Sequence, residues 1–369
     1  MYSEQKRLKT DLRIFLGVVC ALMVLGLIFV YSSSSVFALE KCGSAHYFVK
    51  KQCFGILLGF FALLITRFLP LSIIESCSSL FYLGALGLTA LTFVPGLTLK
   101  IHGSNRWLSL GGFSFQPSEL LKITLLMYLA AYLTKMTGKR NSIKSYIPFL
   151  VLFGAGCLLL LKQPDFGMTV TLALTVFLIF FIMQINTKLL LGAAALSIPV
   201  GAALIYMRSY RLKRITTFFN PWSDPQGSGF QLIQSLIAIG SGSWWGVGIS
   251  NSRQKFFYLP MQHTDFIFAI IAEETGFIGA LLIILLYILF LYFGMRIASK
   301  LTDPFAMIVT LGFVTMTSLQ ATINIAVTTG MLPTKGIGLP FISYGNSSLI
   351  CSLAMIGLIM NCVAHNRNG

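Results

Sequence analysis

The stretches 14–39, 76–99, 166–187, 189–207, 275–295, 304–334 and 336–366 contain no Asp, Glu, Lys or Arg. Each approaches or exceeds the roughly 20 apolar residues that cross a bilayer as a helix. Hydrocarbon offers no water to the backbone, so only helices or closed barrels can span it. A barrel would need alternating strands of about ten residues, and these runs do not alternate. The chain therefore reads as an all-α, polytopic membrane protein. Composition agrees: 56% of its 369 residues are hydrophobic and 10% are charged, against about 25% charged in soluble domains.

About ten spans follow, at 13–33, 49–67, 73–95, 116–134, 147–162, 167–186, 188–208, 264–296, 305–328 and 340–363. They make one domain over 1–369, with 209–263 as the large extracytoplasmic loop between the seventh and eighth spans. The first apolar run is too long for a cleavable signal and is expected to remain. Counting Lys and Arg does not settle orientation. The basic clusters near the N-terminus and at 135–144 favour an N-terminus inside, and ten spans then put both termini in the cytoplasm. Cys42 and Cys53 flank one loop and could pair or stay free.

The net charge of +16 is scattered between apolar spans, which excludes a nucleic-acid groove. Many basic residues fall in the loops expected outside: Lys100, Arg106, Arg208, Arg211, Lys213, Arg214, Arg253, Lys255 and Lys335. Exporting them opposes the insertion bias, and a bound anion would explain it. Attraction to anionic headgroups is the plainer alternative.

Five polar constellations stand out. Residues 226–240 read as a short amphipathic helix lying at the interface or capping the bundle. Asp265 follows His263 and Thr264 at the mouth of a long helix, where it is either a general base or a helix N-cap. Glu273 and Glu274 lie two turns deeper, where polar partners are the expected role. Glu119 and Lys122 share one helix face as an internal ion pair or a cavity lining. The Gly-, Pro- and Ser-rich block 330–348, with Lys335 as its one charge and Ser343 within it, suits backbone lining a polar cavity.

An ordered set of motifs resembles the SEDS family of membrane glycosyltransferases (shape, elongation, division, sporulation) along essentially the whole chain. It comprises Ser104-Asn105-Arg106-Trp107, Gln116-Pro117-Ser118-Glu119-Leu120-x-Lys122, Gln163-Pro164-Asp165-x-Gly167 and Asn220-Pro221-Trp222-x-Asp224-Pro225. Tyr258-Leu259-Pro260, His263-Thr264-Asp265-Phe266 and the 330–348 block complete it. Met331-Leu332-Pro333-Thr334-Lys335-Gly336 looks like the division-associated branch.

The resemblance implies polymerisation of lipid II, a polyprenyl diphosphate-linked disaccharide peptide, on the outer face of the bacterial inner membrane at the division site. It also implies a class B penicillin-binding protein and other division proteins as partners. It makes Asp265 the essential acid and places Arg106, Trp107 and Lys122 in the site. Glu119, Arg211, Arg214, His263, Lys335 and Ser343 join them as candidate substrate contacts. Some relatives carry Glu where this chain has Phe257 and Met261, so Asp265 is expected to lack a second loop carboxylate. Gly345-Asn346-Ser347-Ser348 departs from the family's Gly-Gly-Ser-Ser.

On this reading Asp265 takes the acceptor hydroxyl's proton, the anomeric carbon inverts, and Arg or Lys stabilises the departing diphosphate. Mg2+ or Mn2+ could assist; no metal-ligand motif argues for or against one. A lipid II flippase, favoured by the embedded Glu119/Lys122 pair, and a silent division scaffold are the alternatives.

Overall fold

The computed structural model describes residues 2–101, 104–110, 113–136, 143–185, 187–255, 259–260 and 262–366. Helix α1 (Tyr2–Cys42) leads into α2 (Tyr47–Phe68); α3 (Leu71–Ser76) and α4 (Ser78–Leu91) form one apolar segment broken at Cys77. Strands β1 (Thr98–Ile101), β2 (Ser104–Leu110) and β3 (Phe113–Phe115) come next. Helices α5 (Pro117–Lys135), α6 (Ile147–Lys162), α7 (Phe166–Ile182) and α8 (Thr187–Tyr206) follow. Then come α9 (Ser209–Phe219), α10 (Phe230–Gly242), α11 (Ile267–Lys300), α12 (Pro304–Thr328) and α13 (Asn346–His365).

Each expected span overlaps a helix, although 73–95 is split between α3 and α4 and 340–345 is loop before α13. Among the described residues seven helices are long and apolar enough to cross a membrane. Ser78–Leu91 and Phe166–Ile182 are apolar but shorter, and α5 carries Glu119 and Lys122. Phe60, Phe61 and Ile65 on α2 and Leu191, Leu196 and Ile198 on α8 are exposed, as lipid-facing side chains must be. Cys42 and Cys53 are both free.

The sheet is the element missing from the all-α expectation. Its three strands are antiparallel in the order β1-β2-β3, with Leu99 opposite Trp107 and Leu108 opposite Phe115. The signal was present as three short runs, separated by His102-Gly103 and Gly111-Gly112. Such two-residue glycine-containing links are hairpin signatures.

The bundle closes where small residues allow backbones to approach. Gly55 and Gly59 of α2 lie against α13: a Cβ on Gly59 would come within 2.5 Å of Leu353, and one on Gly55 within 2.7 Å of Asn346 Oδ1. Thr66 Oγ1 donates to Ala354 O at 2.7 Å and Asn361 Nδ2 to Leu69 O at 2.6 Å.

Helix α11 has 34 residues, more than a bilayer requires, and it breaks at Gly276 with φ 67°. Val247 and Gly248 N–H donate to the freed carbonyls of Glu273 and Glu274, both at 3.0 Å. Phe277 and Ile278 N–H donate to Ser243 and Trp244 O at 2.9 and 3.4 Å. The irregular segment 243–248 thus satisfies a helix opening that hydrocarbon could not. Only glycine fits there, since a Cβ on Gly276 would lie 2.6 Å from the Trp244 backbone. The carboxylates of the two buried acids beside the break are held by α1 and by the loop after 248: Ser32 Oγ donates to Glu274 at 2.5 Å, and Arg253 N–H donates to Glu273 at 2.9 Å. They have the polar partners expected of them. Helix α10 packs on α11, burying Leu232, Ile233 and Ser235, and so caps the bundle.

Candidate active site

Asp265 lies just before α11. The N-cap position there is Phe266, and no side chain caps the helix, so the N-cap reading of Asp265 fails and its carboxylate is not consumed by backbone donors. The segment is held from two sides. Asn324 Nδ2 on α12 donates to Asp265 O at 2.7 Å and to Ile337 O at 2.6 Å. Ser343 Oγ donates to Thr264 O at 2.5 Å and accepts from Leu339 N–H at 2.7 Å, while Tyr344 N–H donates to His263 O at 3.0 Å. Gly336 passes so close that a Cβ would sit 3.2 Å from Asp265 Oδ2. The 330–348 block and the 263–265 segment, expected to meet, are laced together, and the Ser343 hydroxyl is part of that lacing.

The structure adds Asp165, which the sequence left outside the site. Asp165 caps α7 through Met168 N–H at 3.1 Å. Arg106 reaches it from β2: Nε donates to Gln163 O at 3.0 Å, Nη2 to Pro164 O at 2.8 Å, and Nη1 lies 3.5 Å from Asp165 Oδ2. Burial pushes the Asp265 carboxyl up to about 6; the charge of Asp165 adds to that rise, and Arg106 and Arg214 oppose it. Burial likewise raises Asp165, against the pull of Arg106. A second carboxylate therefore does face Asp265. It comes from the α6–α7 turn, not from Phe257 or Met261, which lie outside the described residues. Its proximity depends on folding between positions 100 residues apart, which no local motif reveals.

Basic side chains converge beside these acids. Phe166, the residue after Asp165, has the Arg211 guanidinium 4.9 Å and the Lys335 ammonium 5.8 Å from its ring centre. Arg214 Nη1 donates to Thr334 O at 3.1 Å, joining α9 to the 330–345 loop. Arg211 is buried and also bonds Leu204 O at 2.7 Å. Lys213, by contrast, turns to Asp224 at 3.1 Å. Burial holds Lys335 below the usual lysine range. Arg106, Arg211, Arg214 and Lys335 thus come together around Asp165 and Asp265, as one anion-binding site requires.

His263, Lys122 and Glu119 are placed elsewhere. The His263 ring packs against Phe48 at 4.5 Å and Phe37 at 5.7 Å, and burial lowers it to about 4. It is neutral packing, not a partner of the Asp265 carboxylate. Trp107 adjoins Arg106 on β2 where the ladder with β1 is bulged: Trp107 pairs Leu99, Asn105 pairs Lys100, and Arg106 between them is unpaired in the ladder. Lys122 and Glu119 form a 2.7 Å ion pair below the site, with side chains 4% and 8% exposed. This is the internal pair expected. Lys122 also donates to Gln320 Oε1 at 3.3 Å, and Gln320 Nε2 donates to Gly338 O at 3.0 Å. Gln320 and Asn324, one turn apart on α12, were missed because amides on an apolar helix carry no motif.

Among the described residues no three His, Cys, Asp or Glu side chains gather as a metal cluster. Asp165 and Asp265 supply two carboxylates. Mg2+ is commonly held by one or two carboxylates plus substrate phosphates, so these residues suit an ion shared with substrate rather than a protein-only cage.

Comparison with known proteins follows the same outline. The sequence model of the FtsW/RodA/SpoVE family, described as Cell cycle protein, matches residues 12–368. The chain is similar to a probable peptidoglycan glycosyltransferase FtsW of Geobacter sp. (strain M18), 38% identical over 343 residues, which cover 93% of this chain and 94% of that one. It is 39% identical to stage V sporulation protein E of Bacillus subtilis (strain 168), across 94% of this chain and 95% of that one. A chain from a peptidoglycan synthase complex, described as coordinating polymerization and crosslinking, superposes with TM-score 0.79 at 31% identity, covering 96% and 98% of the two chains. Thermus thermophilus RodA superposes with TM-score 0.69 at 26% identity, covering 95% and 96%.

Proposed function

The chain belongs to the FtsW/RodA/SpoVE family, and on that premise we propose that it is a peptidoglycan glycosyltransferase that polymerises lipid II during cell division. The observation that carries this is Asp265: a carboxyl pushed up to about 6, with no ion pair among the described residues, beside Asp165 and four basic side chains.

The substrate chemistry accounts for each part. The donor sugar leaves from a polyprenyl diphosphate, and negative charge builds on the diphosphate as its bond to C1 breaks. Arg106, Arg211, Arg214 and Lys335 stabilise that charge. The acceptor is the 4-hydroxyl of a second lipid-linked sugar. Asp265 removes its proton as oxygen attacks C1 from the opposite face, inverting the centre. A base titrating near 6 is ionised at neutral pH yet basic enough to take a proton. Asp165 keeps Asp265 basic by like-charge repulsion. Asp165 and Asp265 are the residues that would hold Mg2+ or Mn2+, which would supply further charge neutralisation when bound.

The bundle leaves the lipid tail in hydrocarbon while the reacting groups meet at one end. With the N-terminus in the cytoplasm, that end faces outward, where glycan strands are built. A class B penicillin-binding protein that crosslinks the strands is the expected partner, with other division proteins at the division site. The test is the purified protein, with that partner, supplied with lipid II in detergent. Glycan strands from the wild type, absent from Asp265→Asn, support the reading. Lipid II movement across liposomes without polymer would replace it with a flippase.

A further inference from the structure

At the end of the bundle opposite Asp265, α1 packs on α2 and α11 and barely meets α13. A cavity of about 130 Å³ opens there, against the last turn of α2. Its walls are aliphatic: Leu8 and Leu12 lie one turn apart on α1, and Met360 and Val363 one turn apart on α13. Two cations, Lys9 from α1 and Arg67 from α2, and the polar Gln5 and Asn366 share the lining.

Neither cation has a polar partner among the described residues; the half-buried Arg67 guanidinium lies only over the Phe68 ring, 5.8 Å from its centre. A guanidinium presents five N–H donors in a planar fork suited to phosphate, and leaving them idle at a cavity wall is costly. The nearest acid on α1 does not answer them. Asp11 is two residues from Lys9, on another helix face, and is held by Arg296 at 3.3 Å and Lys300 at 2.5 Å. The cavity thus offers unanswered positive charge above an apolar floor.

We infer that this cavity binds an anionic phospholipid of the leaflet that this end of the bundle meets. The phosphodiester sits between Arg67 and Lys9, and an acyl chain runs along Leu8, Leu12, Met360 and Val363. A free phosphate would use the cations but gain nothing from four aliphatic side chains; a zwitterionic lipid would use the walls but bring a cation of its own to Arg67. The site is remote from Asp265 and stands whether or not the glycosyltransferase reading does.

The experiment is native mass spectrometry of delipidated protein in detergent, titrated with phosphatidylglycerol, phosphatidylcholine or inorganic phosphate. Phosphatidylglycerol is expected to be retained over phosphatidylcholine. Arg67→Gln and Lys9→Gln should each weaken that retention about fivefold, the worth of one cation near anionic lipid, and Arg67→Lys less. Leu12→Ser should weaken it too, through the tail. Equal retention of both lipids overturns the inference, as does unchanged phosphatidylglycerol binding in Arg67→Gln. Displacement of the lipid by inorganic phosphate, with Leu12→Ser silent, would mark a free-anion site and overturn it as well. If Arg67→Gln does not fold, the exposed Lys9→Gln decides alone.

Discussion

Two acid–base constellations in this molecule use the same side-chain chemistry for opposite ends. Glu119 and Lys122 lie 2.7 Å apart on α5, nearly out of reach of solvent, with Lys122 also bonded to Gln320. Their charges cancel locally and nothing is left for substrate. Around Asp265 the matching is deliberately incomplete. Arg106 gives two of its donors to backbone carbonyls and meets Asp165 at only 3.5 Å, and Asp265 has no ion pair among the described residues. The lesson is that an ionised group inside a membrane bundle is a structural strut when fully paired and a reactive group when left short of partners.

The largest effect that would break this comparison is on Asp265. Asp265→Asn keeps size and hydrogen bonding but removes the proton acceptor, and lipid II polymerisation should fall by roughly 10²–10⁴-fold. Protein yield and thermal stability should hold, because the carboxylate caps no helix. An Asn variant polymerising at near wild-type rate would end the base assignment.

The strut should fail in the other way. Lys122→Met strands a buried carboxylate, at a cost of roughly 3–5 kcal/mol, seen as a lower unfolding temperature in detergent. Replacing both members, Glu119→Leu with Lys122→Met, should recover most of that loss. If single and double variants unfold alike, the pair is not a neutralised unit.

A subtler difference lies in pH. Polymerisation should decline as pH falls through about 6, where Asp265 takes up its proton. Removing the repelling charge with Asp165→Asn should move that acid limb to lower pH, and Arg106→Gln should move it higher. Stability should not track the rate. The folded state binds the Asp265 proton more tightly than the unfolded chain, so its ionisation costs stability as pH rises from 3.8 to about 6, and acidification returns it. His263 has the opposite sign: its contribution is lost as pH falls from 6.5 to about 4. Only Asp265 enters the rate, so activity lost near pH 5.5 in protein that keeps its helical circular dichroism separates catalysis from folding. An acid limb unmoved by Asp165→Asn would refute the coupling.

The smallest effect concerns Lys335. Lys335→Ala should lower polymerisation by about tenfold or more, the worth of one charge-assisted contact, at normal protein level. A fully active variant would reduce the residue to packing over Phe166.

Much of this site could be read directly. Asp265, Arg106, Arg211, Arg214 and Lys335 were chosen from loop position and charge, and the fold brings them together. His263 was misjudged because adjacency in sequence says nothing about which way a ring turns; it turned into an aromatic pocket. Arg106 and Trp107 read as loop residues, but they lie on a strand, at a bulge of the small sheet. The eighth span, 264–296, is longer than the roughly 20 residues a bilayer needs, and the structure breaks it at Gly276.

The sequence by itself determined the membrane helices. A spanning helix satisfies its own backbone through bonds four residues apart, and its apolar length is a local property. The ordered family motifs belong to the same level. The tertiary structure alone decided which charges are answered. It set Asp165 from the α6–α7 turn near Asp265, brought Arg106 from a small sheet to 163–165, and used Asn324 to tie 265 to 337. It also filled the break in α11 with a turn segment from thirty residues earlier. Electrostatic reactivity depends on distances of a few ångströms between groups a hundred residues apart, and those distances exist only once the helices have packed.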